Sequence, residues 1–276
     1  MSRLLSANFV RLRKNRLFWA AITLTAALSV YDIIQYIFLA EEWKEAGETL
    51  HFESGYFTIA PIIGLPITLV IIFFLGTDYS DGTIRNKIIA GHTRAEIYLA
   101  DLITCVFISL LIDIVWLACG LIGLTFMECG QGAEQMLLYA AVTLLFSVST
   151  GAIAALIGTL NSHKSFAVAI SITLFFGSLL VASYLILRLD EPEMYSYMGM
   201  TAEGMQMMGP IENPSYVGGA QRVVYECIAN TLPSGQAIML SNMALEHPVF
   251  DIAVSAFLSL IVSAAGLMIF NKKDIK

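Results

Sequence analysis

Six long apolar stretches constrain this chain more than any other feature of its sequence. Each has 20 or more residues, which at about 1.5 Å of rise per residue lets a helix cross a hydrocarbon core of roughly 30 Å. They are Leu17–Leu39, Tyr56–Leu75, Ile97–Phe126, Gln135–Leu160, Phe166–Leu187 and Val249–Phe270. Only 13% of the residues are charged, against about 25% in soluble domains. Lipid is therefore the expected solvent, and backbone hydrogen bonding in lipid requires these stretches to be helices.

The pattern of the six stretches excludes other membrane architectures. They lack the alternation of polar and apolar residues that marks barrel strands. The first stretch is longer than the roughly 7–15-residue apolar region of a signal peptide, and AEEWKE follows it in place of a small-residue cleavage site. We therefore expect an all-α, polytopic integral membrane protein in which residues 1–276 form one transmembrane domain with six spans.

Lysine and arginine indicate how the spans are oriented. Of the 15 in the chain, five precede the first span, three lie between the second and third, one lies between the fourth and fifth, and three follow the sixth. The positive-inside rule therefore predicts a multi-pass plasma-membrane protein with both termini in the cytoplasm. The other loops are acidic, and the net charge of −7 leaves no basic domain for nucleic acid.

Residues 1–16 predict a short helix on the membrane surface. Leu5, Phe9 and Leu12 recur at helical spacing with arginines between them. A basic amphipathic helix of this kind lies on the inner leaflet. The alternative is a charged flank that only sets topology, and the two interpretations are compatible.

The longest loop, residues 188–248 between the fifth and sixth spans, is predicted to be extracellular. Its stretch Arg222–Leu240 has apolar residues at helical spacing, so we expect one or two short helices packed on the outer face. The methionine-rich stretch Met198–Gly209 is interpreted as an irregular loop, with a soft apolar binding surface as the alternative.

The four cysteines and four histidines show no metal-ligand spacing, so we expect no metal site. Cys105 and Cys119 lie inside the third span, where they pack as small hydrophobic side chains. Cys129 and Cys227 both fall in outer loops. An oxidising compartment would let them pair as a disulfide, although the sequence leaves their separation open.

The polar block Gly76–Arg94, GTDYSDGTIRNKIIAGHTR, has the signals of a folded element between the second and third spans. Three candidate N-caps open it, Asp78, Ser80 and Asp81. A short helix follows, with Gly91 as its stop. Thr93 and Glu96 then form a predicted capping box that starts the next helix. The alternative is a solvated hairpin whose charges serve only topology.

The string DYSDGTIR, residues 78–85, followed by AGHTR before the third span, resembles the cytoplasmic signature of bacterial ABC-2-type (type V) permeases. The basic N-terminus resembles the surface connecting helix of that family, and six spans is its usual number. NTLPSGQ, residues 230–236, and the ending FNKKDIK are also similar to it. Asp78 stands where family members often have Glu, and HTR replaces the commoner Ser-Arg, so the exact contact set stays open.

In that family the block holds a coupling helix that sits in a groove of a separate ATPase subunit. The resemblance therefore implies a cytoplasmic ABC ATPase and a second permease chain as partners. The residues carried over as coupling candidates are Asp78, Asp81, Gly82, Thr83, Arg85, Lys87 and Arg94. The chain has no G-x-x-x-x-G-K-[ST] motif, so we expect no enzyme activity in it. ATP and magnesium are expected on the partner, with no cofactor in this chain.

Two acidic residues within the apolar stretches, Asp32 and Asp113, are candidates for a translocation pathway. An ionisable group in lipid costs at least about 2.5–3.5 kcal/mol on insertion scales, so both should face the bundle interior or a wet cavity. The alternatives are that Asp32 lies near the outer interface and that Asp113 makes a local hydrogen bond, for instance to Ser109.

Together these features predict the permease subunit of an ABC-2-type transporter, an exporter of an amphipathic peptide, antibiotic or lipid-like molecule. An exporter of sodium or another small cation is an alternative that Asp32 and Asp113 would suit. An ATP-independent secondary transporter would be favoured by inverted repeats, which the sequence does not show. An immunity or sensor protein on the same scaffold also stays open. A membrane enzyme is disfavoured because no G-x-S-x-G or H-E-x-x-H motif is present.

Overall fold

The computed structural model describes residues 1–80, 82–161, 163–201 and 204–273. The protein is 79% helical. Six helical segments are long and apolar enough to cross a membrane, and each coincides with one predicted apolar stretch. The predicted all-α, six-span fold class is therefore confirmed.

The helices and strands follow one another along the chain without an internal repeat of their order. The elements are α1 (Ser2–Arg13), α2 (Arg16–Glu45), α3 (Phe52–Tyr56), α4 (Ala60–Ser80), α5 (Thr83–Ile89), α6 (Arg94–Gly120), a short 3-10 helix (Leu121–Thr125), α7 (Ala133–Leu160), α8 (Lys164–Leu189), β1 (Met194–Thr201), β2 (Gly204–Glu212), α9 (Gly219–Thr231), α10 (Pro233–Ser241) and α11 (Pro248–Lys272).

The second span occupies the centre of the bundle. It is the most buried of the six, whereas the first, fifth and sixth are the least buried. The span has two parts, α3 and α4, separated by a turn at residues 57–59. Pro61 lies in the first turn of α4, where backbone N–H groups have no acceptor within the helix, so its missing N–H removes no hydrogen bond. Pro66 lies inside the helix. A helix as apolar as α4 is suited to this central position.

The core forms where the first four spans meet. Trp116 is 1% exposed and its ring lies 6.4 Å from that of Tyr56 and 6.3 Å from that of Phe57. The Tyr56 hydroxyl donates to the Leu117 carbonyl at 2.7 Å, and Ser29 Oγ donates to the Trp116 carbonyl at 2.9 Å. The aromatic cluster thus joins α2, α3 and α6, with each buried hydroxyl hydrogen-bonded.

The long loop contains the predicted short helices and an additional hairpin. Helices α9 and α10 together cover the stretch Arg222–Leu240 that was expected to be helical, apart from the break at Leu232. Of the stretch expected to be irregular, residues 198–201 belong to β1 and residues 204–209 to β2, and the two strands pair antiparallel with an irregularity between Tyr195 and Tyr197. Met198 is 60% exposed, so cross-strand pairing rather than burial in a core accounts for the strands.

The N-terminal helix α1 forms as predicted, but with a rotated buried face. Its buried residues are Leu4, Asn8 and Leu12, while Leu5 and Phe9 are only half-buried. The reason is a polar contact, because Asn8 Nδ2 donates to Asp101 Oδ1 of α6 at 2.8 Å. A polar residue therefore lies at the centre of the face that joins α1 to the third span.

Candidate functional site

Helix α5 lies between the second and third spans, bounded by two glycines. Gly82 is the N-cap with a φ of +67°, and Gly91 follows the helix with a φ of +89°. The amide of Gly91 bonds the Ile88 carbonyl at 2.9 Å and that of His92 bonds the Lys87 carbonyl at 3.2 Å, which is a Schellman ending. The predicted stop at Gly91 is confirmed. Gly82 takes the N-cap position expected for Asp78, Ser80 or Asp81.

Asp78 is a buried junction between three elements. It is 3% exposed and lies in the last turn of α4. Its Oδ2 accepts from Lys87 Nζ at 2.9 Å, its Oδ1 accepts from Thr83 Oγ1 at 3.0 Å, and its carboxylate pairs with the Arg11 guanidinium. This carboxylate therefore fixes α1 and α5 to the end of the second span rather than offering itself to solvent.

A second buried carboxylate completes the arrangement. Asp101 of α6 is 1% exposed, with Oδ1 2.8 Å from Asn8 Nδ2 and 3.5 Å from Lys87 Nζ. We call Asn8, Arg11, Asp78, Lys87 and Asp101 the Asp78 cluster. Burial lowers the pKa of Lys87 and of Arg11, while Asp101 opposes that shift in both. The two cations are thereby matched by two carboxylates, which keeps a largely desolvated group of charges neutral.

Apolar packing holds α5 next to the Asp78 cluster. Ile84 is 2% exposed and lies in one cluster with Leu4 of α1, Ile97 and Tyr98 of α6, and Phe270 of α11. Ile88 packs against the same cluster from a half-buried position. The isoleucines of α5 do not form a single edge, because Ile84 and Ile88 point inward while Ile89 points outward.

The outward side of α5 is open. Ile89 is 74% exposed, and Arg85, Asn86 and Ala90 are exposed beside it. These positions follow i, i+1, i+4 and i+5, so they share one side of the helix. We call these four residues the α5 face. It combines an exposed apolar side chain with a cation and an amide on a helix that is fixed from behind.

The start of the third span is capped as predicted. Thr93 Oγ1 accepts from the Glu96 amide at 3.2 Å and Glu96 Oε2 accepts from the Thr93 amide at 3.1 Å, which confirms the capping box. Arg94 Nη1 donates to the Asn271 carbonyl at 3.1 Å and also to the Lys273 carbonyl. Arg94 therefore closes the end of α11 and is half-buried there.

Four basic parts of the sequence meet on one side of the bundle, which we call the basic face. Arg94 bonds the end of α11, and Lys273 Nζ donates to the Thr159 carbonyl at the end of α7 at 2.7 Å. Lys164 Nζ lies 4.7 Å from the Phe73 ring centroid near the end of α4. The segments that join α2 to α3 and the 3-10 helix to α7, together with the elements between α8 and α11, lie at the other ends of the spans and form the opposite face.

The seven coupling candidates occupy different environments. Asp78, Thr83 and Lys87 are brought together and hold α5 in place, and Arg94 is held by α11. Gly82 and Arg85 are exposed, while Asp81 lies outside the described residues. The sequence interpretation missed Asn8, Arg11, Asp101 and Ile89. A polar residue on the apolar side of a surface helix was a usable signal for Asn8, but no local pattern distinguishes Ile89 from Ile88.

Asp32 lines an apolar groove between the first and second spans. The groove has a volume of about 320 Å³ and is walled by side chains such as Leu28, Ile62 and Leu69. Asp32 is half-buried, and none of the described residues hydrogen-bonds or ion-pairs with it. Its other oxygen-bearing neighbours in the groove are Thr25 and Tyr31. A half-buried carboxylate in such a groove can meet a cationic group of an apolar molecule.

Asp113 joins the third and fourth spans. It is fully buried and accepts from Thr143 Oγ1 at 3.1 Å and from Ser147 Oγ at 2.9 Å. Ser109, considered as its partner, donates instead to the Cys105 carbonyl at 3.0 Å. The two hydroxyls give Asp113 a structural role in joining α6 to α7, and a role in a translocation pathway stays a prediction.

The cysteines are unpaired, contrary to the disulfide considered for the outer loops. Cys129 and Cys227 are both free and exposed. The Cys129 thiol donates to the Gln131 carbonyl at 3.3 Å in a loop that is bound to the start of the second span, since the Gly130 amide donates to Glu53 at 3.0 Å. Cys227 lies on α9, which packs against α8, α10 and α11. The two thiols are thus held by different parts of the opposite face.

Comparison with known proteins identifies the family. Residues 4–179 match the family described as ABC-2 family transporter protein, a segment that runs from α1 through most of the fifth span. No curated protein matches the chain. The matched segment covers more than half of the 276 residues and includes both α5 and the Asp78 cluster. The chain therefore belongs to the ABC-2 transporter family, as a multi-pass membrane permease subunit of an ABC transporter.

Proposed function

We propose that this permease drives export by receiving the movement of a separate ABC ATPase on its α5 face. The observation that supports this most directly is an exposed apolar and basic helix side, Arg85 to Ala90, on a helix whose other side is fixed by buried charges. A short helix can transmit a rigid-body displacement only if it does not move independently of the spans behind it. The Asp78 cluster provides that attachment.

In this proposal, the path of force runs from α5 into the second and third spans. A push on the α5 face passes through Lys87 to Asp78 at the end of α4 and to Asp101 within α6. Because Asn8 and Arg11 bind the same two carboxylates, α1 moves with them. Displacement of the central second span relative to the outer spans is then the step that exposes the pathway alternately to the two sides.

The basic face is proposed to lie in the cytoplasm of a plasma-membrane protein, where the positive-inside rule puts it. ATP and magnesium are then bound by the partner ATPase. A second permease chain, identical or similar, is proposed to complete the pathway. The first, fifth and sixth spans leave the largest apolar surfaces for contact with that chain or with lipid.

The proposed substrate is an amphipathic molecule that uses the groove beside Asp32. A volume of about 320 Å³ is at the lower end of the roughly 300–1,000 Å³ of small-molecule pockets. The apolar walls and single carboxylate support this more than they support a sodium site, since hard cations need several oxygen ligands at once. Replacing sodium chloride with choline chloride in an ATPase assay of the complex tests the difference. Unchanged activity is expected, and a requirement for sodium would favour the ion exporter.

The coupling proposal is tested by changing the α5 face while leaving the Asp78 cluster intact. The double variant Arg85→Ala, Ile89→Asp should elute like the natural chain in mild detergent, because both side chains are exposed. We expect it to weaken co-purification of the P-loop ATPase by at least about tenfold, as loss of an interface anchor does. Mass spectrometry of the purified complex identifies and counts that partner.

The matched control is Arg13→Ala, which removes an exposed arginine from α1. It should leave the partner's yield and ATPase activity within about twofold, since isolated surface charges contribute little. Full retention of the ATPase by the double variant would contradict the assignment of the α5 face. Absence of any P-loop protein from the natural complex would contradict the permease mechanism itself.

A further inference from the structure

A cavity on the opposite face, of about 220 Å³, has no part in the coupling proposal. It lies where α8 ends and α11 begins, under α9 and α10. Four acidic residues line it, Asp190, Glu226, Glu246 and Asp251. Its described basic side chains are Arg222 and His247. We call this the acidic cavity. Exposed carboxylates alone are typical of any solvated protein surface. The evidence for a binding site is therefore the one carboxylate of this cavity that is buried.

Asp251 is the buried carboxylate of the acidic cavity. The residue is 2% exposed, and its Oδ1 is enclosed without a hydrogen-bond partner among the described residues. Such an atom is uncommon in folded proteins and points to a group that the chain does not supply. The position of Asp251 in the first turn of α11 favours negative charge there, but the helix does not satisfy this oxygen.

The surroundings hold Asp251 in place. Gln236 Nε2 donates to the Asp251 carbonyl at 3.1 Å and to the Asn230 carbonyl at 2.7 Å. Gln236 Oε1 accepts from Ser255 Oγ at 2.7 Å, one turn beyond Asp251. Gln236 is itself fully buried. The backbone around Asp251 is therefore fixed before any ligand arrives, which lowers the entropy lost on binding.

The arginine that lines the cavity is bonded to groups other than Asp251. Arg222 Nε donates to Glu226 Oε1 at 2.9 Å, and its Nη1 donates to the Leu189 carbonyl at 3.2 Å. His247 and the exposed Glu246 face the cavity beside Asp251. Among the described residues, none forms a salt bridge with Asp251, so no positive group of the chain is paired with its carboxylate.

The walls decide which kind of cation fits. No group of three His, Cys, Asp or Glu in the described part of the chain could hold a metal ion. The remaining lining includes Ile186, Leu189 and Met239, which are apolar. A volume of about 220 Å³ is smaller than that of drug-sized pockets. An extended chain with one charged end suits this cavity better than a compact hydrated ion.

We propose that the acidic cavity binds a primary ammonium group on an alkyl stem, of the kind carried by a lysine side chain or an alkyl diamine. The ammonium donates hydrogen bonds to Asp251 Oδ1 and the stem lies against the apolar walls. This site is separate from the α5 face and from the groove beside Asp32. It gives the opposite face a selective recognition function that does not depend on the ATPase.

The test uses the purified full chain in mild detergent and isothermal titration. The probes are Nα-acetyl-lysine amide, 1,5-diaminopentane and Nα-acetyl-norleucine amide, which keeps the stem but lacks the ammonium. Saturable binding is expected for the lysine amide or the diamine, and not for the norleucine amide. Tighter binding of the lysine amide would indicate a peptide side chain as the source of the ammonium. Tighter binding of the diamine would indicate a free amine.

Variants then assign the binding to Asp251. Asp251→Asn keeps the shape and should weaken ammonium binding by at least about tenfold. Asp190→Asn, at the exposed rim, should change it by less than about threefold. Ala244→Trp fills the cavity from an exposed position and should abolish binding without altering Asp251. Equal binding of the lysine and norleucine amides, or binding that survives both Asp251→Asn and Ala244→Trp, would overturn the proposal. Coupling to the ATPase is measured separately and is unaffected by either result.

Discussion

The two faces of this permease use charged residues in opposite ways. On the basic face, the buried carboxylates Asp78 and Asp101 are paired with two half-buried cations, and the four side chains come from four helices. On the opposite face most acidic side chains are exposed, and the longest connection between spans forms a hairpin and two short helices. The comparison shows that charged residues can build either a rigid attachment or an open surface, depending on whether the charges are paired away from solvent.

The rigid face is the one on which a partner is proposed to act, and the open face is the one on which a small molecule is proposed to bind. Rigidity suits the first task because displacement of α5 must reach the spans without loss. Openness suits the second because a ligand must enter. The four experiments below test this contrast, beginning with the largest expected effect.

The strongest test is Asp78→Ala. It leaves Arg11 and Lys87 largely desolvated without one of their two carboxylates. We expect the free energy of unfolding to fall by about 3 kcal/mol, as when a buried ion pair loses one partner. Denaturant unfolding in mild detergent measures it. Glu45→Gln, which changes an exposed acid on the opposite face, should stay within about 0.5 kcal/mol. Equal stability of both variants would remove the distinction between the faces.

A smaller loss is expected for Asp113→Ala in the middle of the bundle. The change removes the acceptor of Thr143 and Ser147 and leaves the Ser147 hydroxyl buried without its partner. We expect about 2 kcal/mol of destabilisation in the same assay. Asp113→Asn retains an acceptor oxygen and should lose less than Asp113→Ala. The reverse order would mean that Asp113 is not held by these hydroxyls.

The capping box offers an effect of about 1 kcal/mol. Thr93→Ala removes the side chain that accepts from the Glu96 amide at the start of the third span. The control is Thr231→Ala on the opposite face, whose hydroxyl donates within its own helix to the Cys227 carbonyl. It should change stability by less than about 0.5 kcal/mol. A loss for Thr231→Ala as large as that for Thr93→Ala would show that the first turn of α6 is not specially stabilised.

The smallest perturbation is chemical labelling, which tests orientation without changing stability. Cys129 and Cys227 are exposed on the opposite face. A membrane-impermeant maleimide should therefore label both in intact cells, and Cys129→Ser or Cys227→Ser should remove one label each. Burial raises the pKa of the Cys129 thiol, so its labelling should accelerate at a higher pH than that of an ordinary thiol. Labelling only after the cells are opened would reverse the proposed topology.

Sequence patterns were sufficient wherever the cause of a structure is local. The six spans follow from the length of the apolar stretches. The C-terminal end of α5 follows from Gly91, and the start of α6 follows from Thr93 with Glu96. The Asp78 cluster could not be predicted in this way because it joins α1 to α4, α5 and α6, and α1 is distant from these three helices in sequence. The sequence around Asp78 predicts a helix cap, whereas in the structure its carboxylate pairs with Arg11 and Lys87.

The same limit explains the error on the opposite face, where residues 198–201 and 204–209 were expected to be irregular. The hairpin depends on β1 and β2 pairing with each other, and neither strand has the alternation that would mark it alone. Whether Cys129 and Cys227 pair was left open for the same reason, since the packing of the loops decides the distance between them, and both are free.

The position of the Asp78 cluster along the chain has a consequence for biosynthesis. All of its members lie between Asn8 and Asp101, so the cluster is complete once the third span has left the ribosome. At about 5–20 residues per second, the sixth span follows on the order of ten seconds later. During that interval the growing chain already presents the α5 face, attached through the Asp78 cluster, and the packing of Phe270 against Ile84 is still to come. The proposed recruitment of an ATPase can therefore begin on the nascent protein, before the last span has been made.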